Sequence, residues 1–243
     1  MLAVLVVLHF RGGPRYHSTL GARLVRYGTT TAVVPRRHGN LLIVLLHGRG
    51  SHASQFTSDN FFRALDKPGA PIVVLPSGGD HSYWHNRSDG HWADGVLSTI
   101  ADAKRRFHTS GKVAIGGISM GGYGALHIAS LRPQEFCAAG GHSAAVWTSA
   151  GATAPGAFDD AADYARNDIF AEAPKLKGIP VWLDNGDHDP FREADAQLAR
   201  TLHVTQHVWP GGHTRSYWDA HIARYLRFYE TACRMRLKMS AAT

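Results

Sequence analysis

Cysteine is almost missing from this chain: its 243 residues include only Cys137 and Cys233. One bridge is the most they can form, which excludes a small fold stapled by several disulfides; the sequence leaves open whether that bridge exists. Charge is sparse as well. Asp, Glu, Lys and Arg make up 19% of the residues, against about 25% in ordinary soluble domains, while 44% are hydrophobic. That balance excludes a disordered chain and supplies material for a large core. No stretch approaches the length of a membrane-spanning helix. The apolar run at residues 1–10, MLAVLVVLHF, is too short to cross a hydrocarbon layer ~30 Å thick. It reads either as the shortened hydrophobic part of a signal or anchor, or as a buried first strand; no basic residues precede it and no clear A-x-A site follows. The first reading carries the expectation of an extracytoplasmic or anchored protein with peripheral membrane association.

Several motifs are absent too. There is no G-x-x-x-x-G-K-[ST], no G-x-G-x-x-G after a strand with an acid about 20 residues on, and no H-E-x-x-H, so neither a nucleotide cofactor nor a metal is expected. The excess of 26 basic over 19 acidic residues invites a nucleic-acid reading. The basic residues are scattered, however, with only short runs at 36–37 and 104–106 and no zinc-finger or RRM signature. Nucleic acid is therefore not an expected partner, and a mildly basic surface suits a cell envelope or acidic substrates instead. Asn86-Arg87-Ser88 fits a glycosylation sequon, which has meaning only in a eukaryotic secretory setting.

What is present is an alternation of short β-rich runs with helical patterns, the mark of βαβ units around a mostly parallel sheet. Strands are expected at residues 22–27, 30–34, 41–46, 71–75, 112–115, 136–139, 179–183 and 204–209. Helices are expected at 53–65, 92–107, 120–131, 192–202 and 217–235, the last with Ile222, Tyr225, Leu226 and Tyr229 spaced three and four apart. The chain divides into an apolar or flexible segment, 1–20, and one α/β domain, 21–243. A short insertion near 148–178, rich in Ala, Gly, Asp and Pro, is either a lid or pocket wall or a plain surface excursion.

The strongest local signal is Gly117-Ile118-Ser119-Met120-Gly121, a G-x-S-x-G string between an expected strand and an expected helix. A chain that turns this sharply presents the serine hydroxyl above the strand ends, beside the unpaired N–H groups of a helix start. A serine needs a histidine to take its proton, and that histidine needs a carboxylate on its far nitrogen. In such folds they follow in the order Ser, acid, His. After the run at 179–183 comes Asp184-Asn185-Gly186-Asp187-His188-Asp189-Pro190; Asp189 is favoured as the acid, Asp187 is the alternative, and Asp184 is read as ending the strand. Among the 16 histidines, His213 in Trp209-Pro210-Gly211-Gly212-His213 has the required order and a glycine turn to present it. The oxyanion hole, two backbone donors aimed at the developing charge, is expected from the N–H of Met120 and of Arg49 in His47-Gly48-Arg49-Gly50.

These strings resemble those of the α/β-hydrolase superfamily, and within it the esterase D-like group with formylglutathione hydrolases, feruloyl esterases and mycolyltransferase antigens. The resemblance runs from about residue 41 to 229 and implies an α/β-hydrolase fold, helices on both faces of the sheet, and Ser119, Asp189 and His213 as a triad. The chain lacks an obvious thiol-linked site. It is shorter than the mycolyltransferase antigens, which lack the histidine of the oxyanion loop. The expected activity is a serine carboxylesterase acting on small-molecule or lipid esters through an acyl-enzyme. Acyl transfer or peptide cleavage with the same triad, and an envelope-binding protein on a hydrolase scaffold, are the alternatives. Ligands in open α/β sheets bind beyond the strand ends, so His47, Tyr83, Trp84 and His142 are the expected substrate-lining residues.

Overall fold

The computed structural model describes residues 19–240, with side chains described to residue 235. The apolar run at 1–10 and most of the segment 1–20 lie outside the described residues. In chain order the elements are β1 (Arg23–Tyr27), β2 (Thr30–Val34), β3 (His38–Leu46), α1 (Asp59–Leu65), β4 (Ala70–Leu75), β5 (Asn86–Arg87), β6 (Gly90–His91), α2 (Trp92–Arg106), β7 (Val113–Ile118), α3 (Met120–Leu131), β8 (Phe136–His142), α4 (Ala161–Arg166), α5 (Ile169–Glu172), β9 (Val181–Gly186), α6 (Arg192–Leu202), β10 (Gln206–Trp209) and α7 (Arg215–Ser240).

Eight strands form one sheet in the order β1-β2-β4-β3-β7-β8-β9-β10. Pairing is antiparallel from β1 to β4 and parallel from β4 to β10. The aliphatic runs of β3, β4 and β7 are buried because helices cover both faces, as parallel strands require. On one face Val96 and Ile100 of α2, Leu126 and Ile128 of α3 and Leu198 of α6 join a common core; on the other, Phe61 and Leu65 of α1 meet Ile222, Leu226 and Tyr229 of α7. Among the described residues no helix is long and apolar enough to cross a membrane.

Register sets the site. Leu46 pairs with Gly117, Ile118 with His142, His142 with Asp184, and Trp209 with Gly186. The parallel strands β3, β7, β8, β9 and β10 therefore end side by side, and the loops after them emerge at one rim. Some bounds differ from those expected. The helix sought at 53–65 starts at Asp59, because the Ser58 side chain accepts from the Phe61 N–H at 3.2 Å and caps it there; one 3₁₀ turn, Ala53–Gln55, precedes it. Strand β8 continues three residues past its expected end at 139. Cys137 on β8 and Cys233 on α7 do form a disulfide, with Cα atoms 4.9 Å apart.

Residues 148–178 hold 3₁₀ turns and the short helices α4 and α5, and they are fastened from below by polar side chains. The Arg87 guanidinium bonds Asp159 and the carbonyls of Gly156 and Ala157. Buried His85 meets Asp163 at 2.9 Å and buried His127 meets Glu172 at 2.7 Å. Burial pushes the Asp163 carboxyl up, but hydrogen bonds from the Asp159 N–H and His85 outweigh it and leave it below the ordinary value. Glu172 is likewise lowered, its burial outweighed by His127 and Ser130. Burial also lowers His85. A depressed carboxyl contributes stability that is present above its unfolded pKa, about 4, and is lost as pH falls through the folded value. A depressed histidine works in the same direction, because below about 6.5 the unfolded form takes up the proton first. Hydrogen-exchange protection of residues 150–176 is therefore expected to decline on acidification before that of β3 and β7 does. Equal loss across both regions would contradict this.

Candidate active site

Ser119 sits between β7 and α3 with φ 57° and ψ −117°, a left-handed backbone that is costly for a residue with a Cβ. The surroundings over-determine it. Its N–H donates to His142 O at 3.0 Å, and its carbonyl accepts from the N–H groups of Gly122, Tyr123 and Ala145. The flanking glycines are required by space, since a Cβ on Gly121 would collide with Leu46 O and one on Gly117 with Gly121 O. The turn thus pushes the hydroxyl outward at the rim.

His213 Nε2 lies 2.9 Å from Ser119 Oγ, and its Nδ1 lies 3.0 Å from Asp189 Oδ2. With Nδ1 donating to the carboxylate, Nε2 is left to accept the serine proton. Asp189 Oδ1 accepts from the Phe191 N–H at 2.9 Å. Burial pushes the Asp189 carboxyl up, but hydrogen bonds from His213, the Ser143 hydroxyl and the Phe191 N–H overcome it and hold it below the ordinary carboxylate value. Ser143 is itself positioned by the Trp218 indole N–H at 2.9 Å, and the Trp218 ring stands edge-on to His213 at 5.0 Å.

The competing carboxylates are occupied elsewhere. Asp187 accepts from the Gly211 N–H at 2.9 Å and pairs with His188, bracing one loop against the other. Asp184 lies inside β9 rather than at its end, and it is fully buried. Its Oδ1 accepts from His142 and Trp182, and its Oδ2 from the hydroxyls of Tyr217 and Tyr225.

The loop after β3 lies against the serine: a Cβ on Gly48 would stand 3.4 Å from that of Ser119. Within the loop the Gly48 N–H donates to Gln55 Oε1 at 2.7 Å and the Gly50 N–H to Asp80 O at 2.8 Å. Between them the Arg49 N–H has no acceptor among the described residues, and neither has the Met120 N–H at the start of α3. Two backbone donors beside one hydroxyl, both without a partner among the described residues, make a place for developing negative charge.

The expected substrate-lining residues require correction. His142 is fully buried within the sheet, its ring nitrogens bonded to Asp184 at 2.6 Å and Tyr229 at 2.8 Å. His47 is also buried: Nδ1 bonds Gly48 O, and Nε2 accepts from the Gly78 N–H, so the ring braces the oxyanion loop. Burial lowers its pKa below the ordinary value. Trp84 donates to His47 O at 3.1 Å and fills a socket where a Cβ on Gly78 or Gly124 would clash. Tyr83 is enclosed by Tyr123, Trp147 and Phe158, and Arg49 lies beside its hydroxyl. All four support the site from beneath. The sequence reading missed Gln55, Trp147, Phe191 and Trp218; the position of Trp147 in the loop after a central strand was the available signal, and Ser143, in the string Gly141-His142-Ser143 after the expected end of that strand, is the one it placed at the border of the site.

Residues 35–229 match the profile of a family described as "Putative esterase". No curated protein sequence matches the chain. Among solved structures, an S-formylglutathione hydrolase from Staphylococcus aureus is 21% identical with a TM-score of 0.67, covering 86% of this chain and 97% of that one. An S-formylglutathione hydrolase from Agrobacterium tumefaciens is 15% identical with a TM-score of 0.70, covering 90% and 98%. A ferulic acid esterase is 20% identical with a TM-score of 0.68, covering 84% and 91%. These likenesses show the α/β-hydrolase fold.

Proposed function

The chain belongs to this esterase family and is an ester-hydrolysing enzyme, and on that premise we propose that it is a serine carboxylesterase working through an acyl-enzyme. Ser119 is the nucleophile, His213 the base and then the acid, and Asp189 the carboxylate that orients the imidazole and stabilises its charged form. The observation that carries this is the continuous chain from Asp189 through His213 to Ser119, at 3.0 and 2.9 Å, beside two N–H groups with no acceptor among the described residues. Ser119 Oγ attacks the carbonyl while Nε2 takes its proton. The N–H groups of Arg49 and Met120 hold the oxyanion. Nε2 then protonates the departing alcohol, and water activated by the same nitrogen releases the acid.

Rapid mixing with a p-nitrophenyl acyl ester should release a burst of nitrophenol equal to the enzyme present, and a fluorophosphonate should label Ser119 and abolish turnover. Ester turnover without labelling would overturn the assignment. The Cys137–Cys233 bridge supports an extracytoplasmic setting, where such bonds persist.

A further inference from the structure

Three loops place beside Ser119 a row of rings that the proposed triad does not use. Phe191, next but one after Asp189, has its ring 5.3 Å from that of His213. Trp147 stands edge-on to Phe191 at 5.6 Å and is tilted against Tyr83 at 5.5 Å. The row bends from the base round toward Arg49, which lies beside the Tyr83 hydroxyl. Phe191 and Trp147 are partly exposed, while Tyr83 behind them is enclosed. The wall is also held firmly. The Ala145 N–H bonds Ser119 O at 3.0 Å, and the Tyr164 hydroxyl bonds Trp147 O at 2.7 Å.

Which part of an ester meets this wall follows from the proton's route. In acylation the bond from Ser119 Oγ to the carbonyl carbon forms and the bond from that carbon to the alkoxy oxygen breaks. The proton taken by His213 Nε2 passes to the departing oxygen. That oxygen must lie within reach of Nε2, so its substituent begins beside the imidazole against which Phe191 is tilted. The oxyanion points elsewhere, toward the Arg49 and Met120 N–H groups. Aromatic faces such as these reward flat apolar partners in offset or edge-on contact.

We propose that Phe191 and Trp147 form the leaving-group subsite, and that it selects esters of apolar alcohols with a flat face, such as arylmethyl alcohols, over esters of short alcohols. The proposal rests on the reading of Ser119, Asp189 and His213 as the triad. Ethyl, hexyl and benzyl acetate share one acetyl-enzyme and differ only in the group that departs. Wild-type kcat/KM should favour benzyl over ethyl acetate by about tenfold or more. Trp147→Ala should bring that ratio near one, Trp147→Phe should retain most of it, and the loss should fall on acylation rather than on hydrolysis of the acetyl-enzyme. Phe191→Leu gives a second measure should Trp147→Ala fail to fold. A benzyl preference that survives these changes overturns the subsite, as does an equal effect on acetyl-enzyme hydrolysis, which would place the wall on the acyl side. Failure of the triad reading would look different: Ser119→Ala would keep turning over all three esters.

Discussion

Ser119→Ala is expected to lower kcat by about a millionfold, His213→Ala by a similar factor, and the double variant by little more than either alone. The non-additivity follows from the geometry. The 2.9 Å contact makes one unit of the hydroxyl and the imidazole, so removing either removes the activated nucleophile. Asp189→Asn should cost about 10⁴, because an amide that donates to Nδ1 leaves Nε2 protonated and unable to accept. Asp187→Asn should be mild by comparison, since its carboxylate meets Gly211 N–H and His188 rather than His213. Single-turnover kinetics on one p-nitrophenyl ester test all five variants. Comparable losses at Asp187 and Asp189 would contradict the assignment of the acid.

The largest loss of stability is expected at Asp184. Its carboxylate accepts from His142 at 2.6 Å, Trp182 at 2.9 Å, Tyr217 at 3.0 Å and Tyr225 at 2.8 Å. Burial pushes Tyr217, Tyr225 and Tyr229 up, and the Asp184 charge pushes them further, so all three stay protonated. Asp184→Ala leaves these donors facing an apolar gap. The expected cost is about 3–5 kcal/mol, which for a chain of this size lowers the melting temperature by roughly 10 °C or more. Tyr225→Phe removes one bond of the set and should cost about 1–2 kcal/mol. Thermal unfolding of both variants checks the order; a mild Asp184→Ala would show that the cluster is replaceable. Because Tyr217 lies on the first turn of α7, just beyond His213, this cluster also fixes where the base-bearing loop ends.

The parts of the site that a sequence displays are those whose constraint is local. Gly117 and Gly121 mark the elbow because no Cβ fits there, and Gly211, against the Tyr217 ring, marks the loop of His213 for a related reason. What stayed hidden depends on partners distant along the chain. His142 follows two glycines and looked like the start of a rim loop. In the fold those residues continue β8, because they pair with residues 116–118 of β7 and 182–184 of β9, and the bare backbones of Gly116 and Gly140 admit the Tyr229 hydroxyl to the sheet. Trp84 looked like a pocket wall because its socket is made by Gly78 and Gly124, which no local pattern connects. Asp189 could be preferred over Asp187 by spacing alone, but the reason it reaches His213 lies in two loops crossing, where Gly186 and Gly211 approach backbone to backbone. Phe191 and Trp147 meet only once β8 and β9 have been laid in register.

The bond between Cys137 and Cys233 closes a covalent ring of backbone with a sequence separation of 96. The exposed turns of residues 148–178, Asp189 and His213 all lie inside that ring, whereas Ser119 lies outside it. A peptidase that nicks one of those turns therefore cuts the peptide route between the hydroxyl and its base but leaves the route through the bridge intact. The molecule would persist as a two-chain form, with acid and imidazole still tethered to the strand beside the nucleophile.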